Sequence, residues 1–288
     1  MAEDTSQPID EQWDLVIEPK KKWYDLQIKE LWRYRDLIAL FIRRDFTARF
    51  KQTILGPLWF FIQPLITTII FTIIFGQIAR LPTDGLPQFL FYMSGTLMWS
   101  YFSNCFISSS DTFISNSYIF GKVYFPRLVM PVSVLVSNLI TFSIQFFFFI
   151  AFFVYFKLNG AEVFLTSWAF AFPLLLILEA GIGLGLGIII SSVTTKYRDL
   201  RYLVSFGVSL WMYATPIIYP VSTIPEDWQW VAAINPITPL IETFRAGFLG
   251  AGNASWAGLA YSAGFMLVVL FLGIVIFNRI EKTFIDTV

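Results

Sequence analysis

Five stretches of this chain, residues 57–79, 85–110, 128–156, 202–225 and 246–278, contain no charged side chain, and a sixth, 163–195, contains only Glu179. A helix needs about 20 predominantly apolar residues to cross a hydrocarbon layer roughly 30 Å thick, so each of the six is long enough. Composition agrees: 56% of the 288 residues are hydrophobic and 14% are charged, whereas a soluble domain carries about 25% charged residues and uses them to cover its core. The expected fold class is an all-α integral membrane protein with six transmembrane helices, at about 57–79, 88–110, 132–156, 165–192, 201–219 and 256–278.

The net charge is zero, yet ten of the 20 Lys and Arg and ten of the 20 Asp and Glu precede Gly56. With six spans, the N-terminal region, the 111–131 and 193–201 loops and the C-terminus share one side. That side holds seventeen of the 20 cations, and Arg80, Lys157 and Arg245 are the other three. Cytoplasmic loops are the ones enriched in Lys and Arg, so both termini are expected in the cytoplasm. The polar, acidic start MAEDTSQPIDEQ predicts no cleavable signal peptide.

Several chemistries are absent from the sequence. It has no His and one cysteine, Cys105, which removes His-based triads, Cys/His zinc sites and intrachain disulfides. Neither a G-x-x-x-x-G-K-[ST] loop nor a G-x-G-x-x-G fingerprint after a strand is present, so no nucleotide site or metal site is expected in this chain. Nothing points to a nucleic-acid partner.

The expected domain organisation is a poorly ordered tail at 1–25, an amphipathic helical region at 26–55 and a membrane domain at 56–288. In the helical region Leu31, Ile38, Phe41 and Ile42 share one face, and Lys29, Arg33, Asp36, Arg44 and Lys51 fall on the other. Such a helix either lies along the membrane surface near lipid phosphates or packs as an ordinary helix on the membrane domain. Arg43, Arg44, Arg49 and Lys51 are the candidate contacts for a phosphate headgroup, because Arg grips phosphate in a bidentate manner; generic cytoplasmic anchoring is the competing reading. Between spans five and six, PVSTIPEDWQWVAAINPITPLIETFRAGFLG is too apolar for a solvated loop. It reads as two short helices, about 226–234 and 237–249, parted by Asn235-Pro236 and dipping back between the spans.

Span two places Tyr92, Thr96, Trp99, Ser103, Phe106 and Ser110 near one face at 100° per residue. Rings and hydroxyls together suit sugars, which offer apolar C–H faces and a rim of hydroxyls; core packing and an interfacial aromatic belt are the alternatives. Glu179 serves either a pathway or helix packing. Gly181, Gly183, Gly185 and Gly187 form two overlapping G-x-x-x-G pairs, a close-packing face within one subunit or between two copies.

Taken together, RRDFTARFKQTILGPLWFFIQP at 43–64, FPRLVMPVS at 125–133, KYRDLRYLV at 196–204 and NPITPLIETFRAGFLG at 235–250 resemble ABC-2 type polysaccharide export permeases. IEPKKKWYDLQIKELWRYRDL at 17–37 is most similar to the O-antigen branch. Phe50 departs from the pattern, standing where the family usually has Tyr, so whatever hydrogen bond the family's phenol makes has no counterpart here. The resemblance implies a bacterial inner-membrane homodimer joined to two separate ATPase subunits that bind ATP and Mg. It implies that the 26–55 region is an interface helix. It also implies a coupling helix around Ile119, Phe120, Lys122, Tyr124 and Arg127, and a periplasmic gate at 226–249 built from Trp228, Trp230, Asn235, Pro236, Glu242 and Arg245. A lipid-linked polysaccharide would pass through a channel between the two protomers, lined by aromatics from spans one, two and five, with Trp59, Tyr92, Trp99 and Tyr213 as the candidates and Thr96, Ser103 and Phe106 of the span-two stripe beside them.

The competing functions are an exporter of capsule or teichoic acid polymer, an exporter of a small lipid or drug, a membrane glycosyltransferase and a passive channel. A glycosyltransferase wants acidic catalytic residues, and the loops between the cytoplasmic span ends offer only Asp111 and Asp199.

Overall fold

A computed structural model describes residues 32–51, 56–120, 123, 125–126, 128–194 and 199–281. All regular structure among them is helical: α1 (Arg35–Phe50), α2 (Trp59–Phe71), α3 (Gln88–Ser115), α4 (Ser117–Phe120), α5 (Val129–Leu158), α6 (Phe172–Thr194), α7 (Leu200–Ala214), α8 (Gln229–Ile234), α9 (Thr238–Phe248) and α10 (Trp256–Glu281). Four segments are long and apolar enough to cross a membrane: Trp59–Ile78, Val129–Leu158, Ser167–Thr194 and Trp256–Phe277. The tail at 1–25 and the start of the amphipathic region lie outside the described residues.

At 28 residues, or about 42 Å, α3 is long enough to span, but Ser, Thr and Asn interrupt its apolar run. Its position accounts for that. Residues 90–99 are all buried, because α3 packs against α6, α5, α2, α9 and α7 and presents little surface to a lipid environment.

The glycines of α6 resolve into two faces. A Cβ on Gly183 would come within 2.8 Å of Cys105 Cβ, and Gly187 meets Ser109, both on α3. On the other side a Cβ on Gly185 would lie 2.8 Å from the Leu270 amide, and Gly181 meets Met266, both on α10. The two G-x-x-x-G pairs therefore bring three helices of one subunit together. Glu179 is sealed in the same region, fully buried, with neither carboxyl oxygen hydrogen-bonded among the described residues.

Two prolines shape the remaining helices. Pro64 lies inside α2 and has no N–H to give the Phe60 carbonyl. Gln145 of α5 supplies the missing donor, its Nε2 lying 2.9 Å from that oxygen. Beyond Phe71 the same span continues as wider π turns, Thr72–Ile78. The second proline, Pro216, follows Thr215, whose backbone is extended (φ −101°, ψ 139°). A residue before proline is disfavoured in the helical region, so α7 stops at Ala214 after 15 residues, about 22 Å. The helix is thus shorter than the 201–219 expected for span five, and 215–219 form turns and bends.

The segment between α7 and α10 has the two expected short helices. Every residue of α9 is buried except Pro239, and its Phe244 and Phe248 join Phe146, Phe149 and Phe172 in one aromatic cluster. α8 is largely exposed. At the other end α1 docks through Phe41 onto Phe125, Val129 and Met130.

Candidate functional site

Between α2, α3, α5 and α7 lies a cavity of about 300 Å³. α2 contributes Phe60, Gln63, Pro64 and Thr67; α3 contributes Thr96, Trp99, Ser100, Ser103 and Asn104; α5 contributes Thr141 and Gln145; α7 contributes Met212. None of these is charged. Eight carry a hydroxyl or an amide, a concentration of hydrogen-bonding groups inside four mostly apolar helices.

Several of those groups are already anchored to the backbone. Thr96 Oγ1 donates to the Tyr92 carbonyl at 2.9 Å, and Thr67 Oγ1 donates to the Gln63 carbonyl at 3.1 Å. Each hydroxyl oxygen keeps acceptor capacity, and Asn104 is exposed, with its amide free to meet a solute. Trp99 packs edge-on to Trp211 at 6.1 Å and tilts against Phe102 at 5.3 Å, so its ring is a fixed wall of the cavity. The arrangement can hold an uncharged solute rich in hydroxyls and places no acid, base or nucleophile beside it.

The expected span-two stripe divides. Thr96, Trp99 and Ser103 line the cavity. Tyr92 is fully buried, edge-on to Phe71 and Phe91, and Phe106 packs on Phe102; both belong to the core. Trp59 and Tyr213 are half exposed and lie outside the cavity. Sequence reasoning missed Gln63, Thr67, Ser100, Asn104, Thr141 and Gln145. A signal existed for the last two: Asn138, Thr141 and Gln145 recur at helical spacing in a mostly apolar run, and all three are buried.

A second polar cluster surrounds Arg245, which is 1% exposed. Its Nη1 donates to the Pro216 carbonyl at 2.7 Å and to Glu242 Oε1 at 3.3 Å, and its Nη2 donates to the Ile217 carbonyl at 2.8 Å. Its Nε donates to Ser94 Oγ at 3.3 Å, and the guanidinium stacks 3.7 Å from the Phe91 ring centroid. Arg245 therefore ties α9 to α3 and to the turn that Pro216 creates. Glu242 Oε2 accepts from the Asn253 amide at 2.9 Å. Asn235 donates to Thr215 Oγ1 at 2.8 Å, and the Pro236 carbonyl accepts from Ser262 at 2.7 Å. Of the expected gate residues, these four belong to one connected region, while Trp228 and Trp230 are exposed beside it. Next to this cluster opens a cleft of about 380 Å³ that includes Asp84, Ser222, Gln229, Glu242 and Asn253.

Among the headgroup candidates, Arg43 and Lys51 are exposed. Arg44 is engaged inside the protein, paired with Asp45 at 2.7 Å and donating to Asn116 Oδ1 at 3.0 Å. Only the backbone of Arg49 is described. Of the coupling candidates, Ile119 packs on the cluster of Phe41, Phe125, Val129 and Met130. Phe120 ends the single turn α4, and Lys122, Tyr124 and Arg127 lie outside the described residues.

Residues 36–249 match the family model described as ABC-2 type transporter. The chain belongs to the ABC-2 type transporter family. An O-antigen export system permease protein of Klebsiella pneumoniae is 31% identical to it over 252 residues, 87% of this chain and 94% of that protein. Another, from Myxococcus xanthus, is 27% identical over 265 residues, 91% of this chain and 98% of that protein. A polysialic acid transport protein of Escherichia coli is 24% identical over 262 residues, 86% of this chain and 95% of that protein. Every residue lining the uncharged cavity of this ABC-2 permease falls within the matched stretch, as does Arg245; Gly252 and Asn253 of the cleft lie just beyond it.

Proposed function

We propose that this ABC-2 permease is the channel-forming subunit of an ATP-driven exporter that moves lipid-linked polysaccharide of the O-antigen type from cytoplasm to periplasm. The observation that carries the reading is the cavity between α2, α3, α5 and α7. Hydroxyls, amides and one tryptophan, with no charge, meet a sugar's hydroxyl rim and its apolar face. Weak, repeated contacts of this kind suit a polymer, since tight binding at one point would stall it.

The active form is a homodimer with a separate ATPase on each protomer, which supplies the ATP and Mg sites that this sequence lacks. The chain crosses the inner membrane six times with both termini cytoplasmic, in keeping with seventeen of its 20 cations on that side. α3 and α7 are the two spans beyond the four apolar ones, α8 and α9 form the periplasmic gate, and α1 with the 119–127 segment receives the motion of the ATPase. Chain release would require α9 to shift, so the Arg245 cluster sets the resting position of the gate.

A deletion strain tests the function. Loss of the long-chain ladder from a gel of surface polysaccharide, with lipid-linked polymer trapped inside the cell, is the expected result. An intact ladder with normal intermediates would move export of a small lipid to first place.

A further inference from the structure

The inner cavity and the cleft beside Arg245 share an electrostatic property: among the described residues neither is lined by a free cation. Gln63, Thr67, Ser100, Ser103 and Asn104 give the inner cavity only neutral donors and acceptors. The outer cleft presents the carboxylates of Asp84 and Glu242. The cation beside it, Arg245, is buried and committed to Glu242, two backbone carbonyls and Ser94. The exposed cations of α1, Arg43 and Lys51, are not among the residues that line the cavity, although Phe46 of α1 packs on Phe60 at its edge.

We infer that the exported glycan is built from uncharged sugars and that this path rejects a polymer bearing a carboxylate on its repeat unit. The inference rests on the polysaccharide reading above and names the substrate class for it. A neutral sugar entering the cavity exchanges water for hydroxyls and amides, a trade whose net free energy is small. A carboxylate entering the same space loses hydration and finds no counter-charge, which is far more expensive than moving a hydroxyl. In the cleft it would meet the carboxylate of Asp84, Glu242 being already paired with Arg245. A lipid anchor's headgroup would meet such a barrier at most once per chain, whereas an acidic repeat meets it at every step.

The test uses inverted membrane vesicles containing the permease and its ATPase, supplied with ATP and two lipid-linked polymers of equal length. One has neutral hexose repeats and the other uronic acid repeats. Accumulation of the neutral polymer at least tenfold faster is expected. Asn104→Lys places a cation in the cavity at an exposed position, so the fold should be retained; the ratio is expected to narrow at least threefold, through faster uptake of the acidic polymer. Equal rates for the two polymers with the unaltered permease would overturn the inference, and so would an unchanged ratio in Asn104→Lys. Uptake of neither polymer would overturn the polysaccharide reading itself, and the charge rule with it.

Discussion

Around Arg245 the charge is matched within the chain: the guanidinium meets a carboxylate, two carbonyls freed by the turn at Pro216, and a serine hydroxyl. Between α2, α3, α5 and α7 the polar groups are weaker, uncharged, and face open space. Both regions lie among apolar helices, where an unmatched charge is very costly and an unmatched hydroxyl is tolerable. The difference separates structure from service. In the Arg245 region charge is placed where geometry can saturate it; in the proposed function, the neutral hydrogen-bonding capacity of the cavity is what a passing sugar would meet.

The comparison breaks most readily at Arg245. Arg245→Met would leave Glu242 charged and buried and two backbone carbonyls without donors, an expected loss of about 3–5 kcal/mol. Thermal unfolding of the detergent-solubilised protein should show a large drop in Tm or no folded protein. Glu242→Gln should be milder, because Arg245 keeps its backbone acceptors. Melting of Arg245→Met at the unaltered temperature would mean that the cluster is not the structural tie described here. Next in size is Gly185→Leu, which forces side-chain atoms against the Leu270 backbone and should cost about 1–3 kcal/mol or more. The same melting experiment reads it, and full retention of stability would refute the close approach of α6 and α10.

A subtler case is Gln145→Leu, which removes the donor to the Phe60 carbonyl and should cost about 1–3 kcal/mol. Pro64→Ala returns an N–H to the helix, so the same Gln145 change should cost less in that background. A double-mutant cycle on Tm measures the coupling, and strict additivity would show that Pro64 is not the reason for the contact.

These cases also mark what could be read from the sequence. Charge-free runs announced the four apolar segments long enough to cross a membrane, and Asn235-Pro236 announced the division of the segment between α7 and α10 into α8 and α9. Pro216 was equally visible, yet apolar composition continued past it and concealed the shortening of α7. The span-two stripe divides, with Thr96, Trp99 and Ser103 lining the cavity and Tyr92 and Phe106 packed in the core. Periodicity places Tyr92, Thr96 and Trp99 together but cannot tell that Phe71 and Phe91 bury Tyr92, while Gln63 and Thr67 stand across from Thr96. Likewise, Arg44 bonds both its neighbour Asp45 and Asn116, which is 72 positions away. Long-range partners decide whether a polar residue is spent or available, and spacing along one helix carries no information about them.

The smallest change in stability should accompany the clearest change in transport. Asn104 is exposed to the cavity, and its removal opens no void in the core. Asn104→Ala is therefore expected to alter stability by no more than about 0.5 kcal/mol, while polymer export, followed as the rate at which the long-chain ladder reappears after induction, falls several-fold. Trp99→Ala is a poorer probe, since the ring also packs on Phe102 and Trp211 and its loss would cost about 3–5 kcal/mol. If Asn104→Ala exports at the unaltered rate while Arg245→Met fails to fold, the contrast loses one half: the molecule would keep its structural cluster, and the uncharged cavity would be only a packing gap between helices.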